Sequence, residues 1–142
     1  MRIVLQRVKQ ASVSVDNQIV GSIAAGMLLF LGVGKDDGPE DVKRLVEKVA
    51  ELRIFEDPQG KMNLSIQEVG GQALVVSQFT LYADTSRGNR PSFINAALPE
   101  YASPLVDYFA ASLASHGIPV QQGEFGAHIR APVIGADENI VA

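Results

Sequence analysis

Ser77-Gln78-Phe79-Thr80 closes the apolar run Ala73-Leu74-Val75-Val76 in a chain of 142 residues. Two hydroxyls and a carboxamide at the end of a buried strand can position a polar substrate. Open α/β sheets commonly bind ligands just beyond the carboxyl ends of their strands. A buried polar group without a partner costs about 1–3 kcal/mol, so these side chains need a reason to be there. One reason is purely structural: an edge strand facing water, or side chains pairing with local backbone. The other is a site. Thr80 as a nucleophile needs an adjacent base. The chain has two histidines, His116 and His128, and neither is close to Thr80 in sequence. Their spacing fits no metal-ligand pattern, so no metal and no cofactor is expected.

Two further stretches have chemistry-bearing composition. Asp84-Thr85-Ser86-Arg87-Gly88-Asn89-Arg90-Pro91-Ser92-Phe93 is polar and cationic. It is either a solvated loop or a local grip on phosphate or ribose, since the guanidinium fork of Arg suits oxyanions. Gly123-Glu124-Phe125-Gly126-Ala127 sets two glycines around an aromatic ring. That pattern lets backbone approach a flat ring closely, or simply makes a bulge between strands.

The elements that must carry these groups follow from periodicity. Residues 2–8, 11–15 and 19–23 alternate as strands, and Asp16-Asn17 marks a turn. Residues 27–33 form a short, wholly apolar run, the mark of a buried strand. Asp37-Gly38-Pro39-Glu40 starts a helix whose stripe is Val42, Leu45, Val46, Val49 and Leu52, with charges on the other face. Residues 52–55 are expected to return as a strand, followed by a turn at Asp57-Pro58-Gln59-Gly60. Residues 73–76 form another buried strand. A second helix starts at Leu98-Pro99-Glu100, buries Leu105, Val106, Phe109 and Leu113, and stops at Gly117. Residues 118–122 and 127–134 are closing strands. The order predicts a single α/β domain over residues 1–142, with mixed, barrel-like sheet layers and two main helices packed on them.

Composition narrows the class. With 46% hydrophobic residues and no cysteine, the chain can build a core but has no disulfide, thiolate nucleophile or Cys-based metal site. No apolar run approaches the roughly 20 residues that span a bilayer, so no membrane is expected and the cytoplasm is the expected compartment. Residues 1–90 are balanced in charge, whereas residues 91–142 carry Arg130 against five acids, giving the net −4. Coating a long nucleic acid takes a basic face. A nucleic-acid partner would therefore be gripped at a small part, through a pocket and a few cations.

The block Ser77-Gln78-Phe79-Thr80-Leu81-Tyr82-Ala83-Asp84, continued by Gly88-Asn89-Arg90-Pro91-Ser92-Phe93, resembles the hallmark of the D-aminoacyl-tRNA deacylases. The likeness includes Gln6-Arg7-Val8, Ala11-Ser12-Val13, Leu52-Arg53-Ile54-Phe55, Gly60-Lys61-Met62-Asn63 and Gly123-Glu124-Phe125-Gly126-Ala127, over roughly residues 1–130. The resemblance implies a homodimer that hydrolyses the ester joining a D-amino acid to the terminal adenosine of tRNA. Its partner is then the aminoacylated 3′ end. Ser77 and Gln78 would position substrate and water, and the backbone amides around Phe79 and Thr80 would face the ester carbonyl. Thr80 has also been read as the family's nucleophile. Phe125, Gly126 and Ala127 would help form an adenosine pocket. Arg7 would help hold a Gly-Pro pair across the dimer, and Arg87 and Arg90 would touch tRNA.

At its C-terminal end the chain departs from that pattern. The family usually carries a motif like Asn-x-Gly-Pro-Val-Thr, whose Gly-Pro pair enters the partner's pocket and rejects L-amino acids. Here Arg130-Ala131-Pro132-Val133-Ile134-Gly135-Ala136-Asp137-Glu138 follows, with no Gly-Pro after residue 127. Three functions stay open at this point. They are D-selective deacylation, deacylation relaxed toward glycyl- or L-aminoacyl-tRNA, and a non-catalytic paralogue that binds adenosine or the tRNA end.

Overall fold

The structure, a computed structural model, describes residues 1–126 in full and the backbone of 133–134 and 139–141. Strands β1 (Arg2–Val8), β2 (Gln10–Val15), β3 (Gln18–Ile23) and β4 (Gly26–Gly32) run consecutively into helix α1 (Pro39–Glu51). Next come β5 (Phe55–Glu56), β6 (Met62–Leu64), β7 (Gln72–Ser77) and a 3₁₀ turn (Phe79–Tyr82). Helix α2 (Pro99–Ser115), β8 (Val120–Gln122), β9 (Val133–Ile134) and β10 (Asn139–Val141) complete the order. A five-stranded sheet has the order β10-β1-β4-β7-β8, and β3-β2-β9 form a second sheet. The first sheet is mixed: β1 runs antiparallel to β4, whereas β4, β7 and β8 are parallel.

Side chains alternate across a strand, so one buried strand can supply two cores. Met27, Leu29 and Leu31 of β4, with Ala73 and Val75 of β7, face α1 and α2. Leu28, Leu74 and Val76 face the smaller sheet, where they meet Ala11, Val13 and Ile23. Burial on both faces explains why residues 27–33 and 73–76 read as unbroken apolar runs. The amphipathic reading of α1 holds, with Val42, Val46, Val49 and Ala50 buried. So does that of α2, which buries Leu105, Val106, Phe109 and Leu113. Asp16 and Asn17 both adopt positive φ, as a two-residue hairpin turn demands.

One local expectation needs correction. Leu52 caps α1, and only Phe55 and Glu56 pair as strand, against β6. Its apolar side chain completes the helical stripe instead of starting a strand. At the start of α1, Gly38 occupies the cap position and its N–H reaches the Asp41 carboxylate at 2.9 Å. Asp37 lies one residue too early to cap and turns its carboxylate elsewhere. The first part of the predicted closing strand, residues 127–132, lies outside the described residues, while β9 pairs with β2.

Candidate active site

Strand alternation places Ser77 on the helix-facing side of the sheet, two residues beyond Val75. The strand ends there, so Ser77 meets a cleft of about 760 Å³ instead of core. Val33 and Ser77 form its floor, and Leu98, Pro99 and Ala102 at the start of α2 form one wall. Phe79 and Phe93 form another, with ring centres 5.1 Å apart at 71°. Glu124, Phe125 and Gly126 close the remaining side. A volume of this order lies inside the roughly 300–1,000 Å³ range of small-molecule sites. Among the described residues, Glu124 is the one ionisable side chain lining it. A largely apolar cleft with one carboxylate, one hydroxyl (Ser77) and one carboxamide (Gln78) suits a ligand with a flat or aliphatic body and a cationic amine.

The 3₁₀ turn starts at the cleft's edge. The Gln78 N–H donates to the Leu31 carbonyl at 2.8 Å, continuing the β4–β7 pairing. Leu81 N–H then bonds the Gln78 carbonyl at 3.3 Å, and Ala83 N–H bonds that of Thr80 at 3.1 Å. The first amides of a helical turn have no internal acceptor. Accordingly, no described acceptor takes the N–H of Phe79 or Thr80. Two adjacent, unengaged backbone donors beside a cleft can stabilise charge developing on an oxygen.

Thr80 itself does not line the cleft. Its hydroxyl accepts a hydrogen bond from the Gln78 carboxamide, which is not a base. His116 caps the far end of α2, a helix of 17 residues whose start walls the cleft. At 1.5 Å per residue that separation is about 25 Å, so His116 stands far from the cleft. His128 and Ala127 lie outside the described residues.

The other expected residues are dispersed. Arg7 is buried, donates to the Ile54 carbonyl at 2.7 Å and lines a separate 280 Å³ hollow with Gly26, Phe55 and Gly71. It pairs with Met27 at the start of β4, whereas Ser77 pairs with Leu31 near its end. The structure therefore does not bring Arg7 to the cleft of its own protomer. Arg87 and Arg90 are exposed on a hairpin closed by Asp84 and Ser92, and neither lines the cleft. Bonds from the Ser86 hydroxyl and amide hold the Asp84 carboxyl below the usual range. The groups that sequence reading missed are Val33, Ala96, Ala97 and Ala102, small or apolar residues without a polar signature. Leu98-Pro99 was legible only as a helix start.

Tyr82 ends the turn and is pushed up to about 12, first by burial and then by the Asp37 carboxylate, to which its hydroxyl donates at 3.3 Å. Ionisation is thus easier unfolded, near 10, than folded. The stabilising contribution is complete below pH 10 and fades as pH climbs toward 12. Spectrophotometric titration should find one of the three tyrosines ionising near 12 in the native protein and near 10 once denatured. A native protein with no tyrosine ionising near 12 would contradict this.

Such a layered α/β domain, with a cleft at the carboxyl end of a central parallel strand, belongs to a fold class that places ligands at strand ends. The family described as D-Tyr-tRNA(Tyr) deacylase matches residues 4–134, and the chain belongs to that family of ester hydrolases. It is 58% identical to a D-aminoacyl-tRNA deacylase of Chloroflexus aurantiacus over 134 residues, 94% of this chain and 84% of that one. It is likewise 58% identical to one from Thermomicrobium roseum over 129 residues, 91% of this chain and 84% of the relative. Among solved structures, the c-Myc DNA unwinding element binding protein superposes with a TM-score of 0.93 at 32% identity, covering 100% of this chain and 97% of that one. A probable eukaryotic D-amino acid tRNA deacylase superposes at 0.82 with 18% identity, covering 99% and 97%, and shares the fold. Among the described residues, no helix is long and apolar enough to cross a membrane.

Proposed function

We propose that this protein hydrolyses the ester of D-aminoacyl-tRNA, releasing the D-amino acid and free tRNA. The observation that carries the reading is the pair of amides that no described acceptor takes, at Phe79, which lines the cleft, and at the adjacent Thr80. Ester hydrolysis builds negative charge on the carbonyl oxygen, and one fixed amide donor contributes about a hundred- to a thousandfold in rate. The terminal 2′-hydroxyl of the RNA supplies the neighbouring polar group, so no side-chain base is needed at Thr80. Ser77 and Gln78 position the substrate and water. Phe125 and Gly126 form the adenosine side, and Arg87 and Arg90 reach the tRNA backbone.

The active form is a homodimer. Phe79 and Leu98, which line the cleft, and Ile94, next in sequence to the lining Phe93, are 58%, 67% and 72% exposed, apolar side chains that a second copy would cover. A second reading, relaxed handedness, is favoured by the absence of any Gly-Pro pair after residue 127.

Deacylation of D-Tyr-tRNA, L-Tyr-tRNA and Gly-tRNA, side by side, decides between these readings. Cleavage of the D-ester alone is expected from the first. Cleavage of all three points to the second, and binding without cleavage to a non-catalytic tRNA-end binder. A D-Tyr-tRNA ending in 2′-deoxyadenosine should be cleaved far more slowly than its ribose counterpart. Equal rates would remove the RNA hydroxyl from the mechanism.

A further inference from the structure

The 3₁₀ turn that presents the two amides has little holding it from within. Turns of this kind have poorer hydrogen-bond geometry than α-helix. Its entry is pinned by the Gln78–Leu31 bond, and its exit is held from outside by groups distant in sequence. The Arg2 guanidinium donates to the Leu81 carbonyl at 2.8 Å and lies 4.5 Å from the centre of the Tyr82 ring. The Tyr82 hydroxyl donates to Asp37 Oδ2 at 3.3 Å. That oxygen also accepts the Gly34 N–H at 2.7 Å and pairs with the Met1 amine at 2.5 Å. The Tyr101 hydroxyl of α2, the helix that walls the cleft, donates to the Asp37 carbonyl. Gly34 leaves room for this junction, since a Cβ there would stand 2.8 Å from the Tyr82 hydroxyl and 3.1 Å from Asp37 Oδ2.

We infer that Arg2, Tyr82 and Asp37 form a clamp on the exit of the turn, and act as positioning residues that keep the Phe79 and Thr80 amides aimed at the scissile carbonyl. None of the three lines the cleft, so they act through the backbone and not on substrate. Burial beside a carboxylate keeps Tyr82 protonated throughout the working pH range, so it remains a donor to Asp37. The catalytic half of the inference rests on the deacylase reading above; the mechanical half does not.

Tyr82→Phe removes the hydroxyl and keeps the ring, and Arg2→Ala removes the second tether. A misplacement of about 1 Å can cost about a hundredfold in rate, so Tyr82→Phe should lower kcat about tenfold and the double variant about a hundredfold. KM for D-Tyr-tRNA should stay within about twofold, because the cleft walls are untouched. In parallel, amide hydrogen exchange at Leu81 and Ala83, whose bonds close the turn, should speed up at least about tenfold while the β7 amides stay protected. Faster exchange with an unchanged kcat would overturn the catalytic half, and a lower kcat with unchanged exchange would overturn the clamp. If the wild-type protein cleaves no aminoacyl-tRNA, the deacylase reading fails, and the catalytic half with it. The exchange comparison still decides whether the clamp holds the turn.

Discussion

Phe79→Pro should abolish most deacylation while leaving the fold in place. Proline removes one of the two unengaged amides, and no described acceptor uses that N–H. The backbone is already prepared for the ring. Gln78, which would precede the proline, is extended at φ −145° and ψ 90°, and the 3₁₀ turn starts at residue 79. Extended geometry suits the residue before a proline, and proline suits the first position of a helical turn. Loss of one such donor costs about a hundred- to a thousandfold in kcat. Phe79→Ala is the reference, because it deletes the same ring and keeps the N–H. Single-turnover cleavage of D-Tyr-tRNA should therefore separate Pro from Ala by about two to three orders of magnitude, at matched circular dichroism. Thr80→Ser, by contrast, should retain most of the rate, whereas Thr80→Val loses activity through altered geometry. Equal rates for the Pro and Ala variants would show that the Phe79 amide does not carry the chemistry.

The largest stability effect is expected at Phe109. Its side chain is fully buried in the core that joins α2 to the five-stranded sheet. Truncation to alanine removes the transfer free energy of the ring and leaves a cavity, about 3–5 kcal/mol together. Domains of ordinary stability have only about 5–15 kcal/mol in total, so the variant becomes marginal. For a chain of this length the melting temperature should drop by roughly 10–20 °C. Ile19→Ala is the control: Ile19 is 68% exposed, and surface substitutions stay within about 0.5 kcal/mol. A Phe109→Ala protein as stable as Ile19→Ala would mean that α2 is not packed as described. Because the first turn of α2 also walls the cleft, the same variant tests how firmly that wall is held.

Much of the site was legible before any coordinates. The polar end of an apolar strand at Ser77 and Gln78 reads as a strand terminus because burying those groups without partners is costly. The glycine-flanked Phe125 stood out for the same kind of local reason, and both stretches do meet at one cleft. Arg7 was less legible. Its basic side chain carries no sign of which end of β1 it serves, and register with β4 sets it at the opposite end from Ser77. Thr80 was read two ways, through its hydroxyl as the family's nucleophile and through its backbone amide beside that of Phe79; amides have no one-letter signature, so the resemblance alone pointed to them. Leu52 was counted in both the helical stripe and the following strand, since one apolar residue at a boundary satisfies both patterns; the stripe is the one it joins.

Local pattern determined the elements: alternation marks the strands, the 3.6-residue stripe marks α1 and α2, and Asp16-Asn17 marks the hairpin. These depend on neighbours within a few positions, which the sequence displays directly. Tertiary structure alone decided that Ser77 opens onto a cleft walled by the start of α2, and that Asp37, Tyr82 and Arg2 meet behind the turn. Those meetings join residues tens of positions apart. Strand order and register bring them together, and neither is written in any single segment.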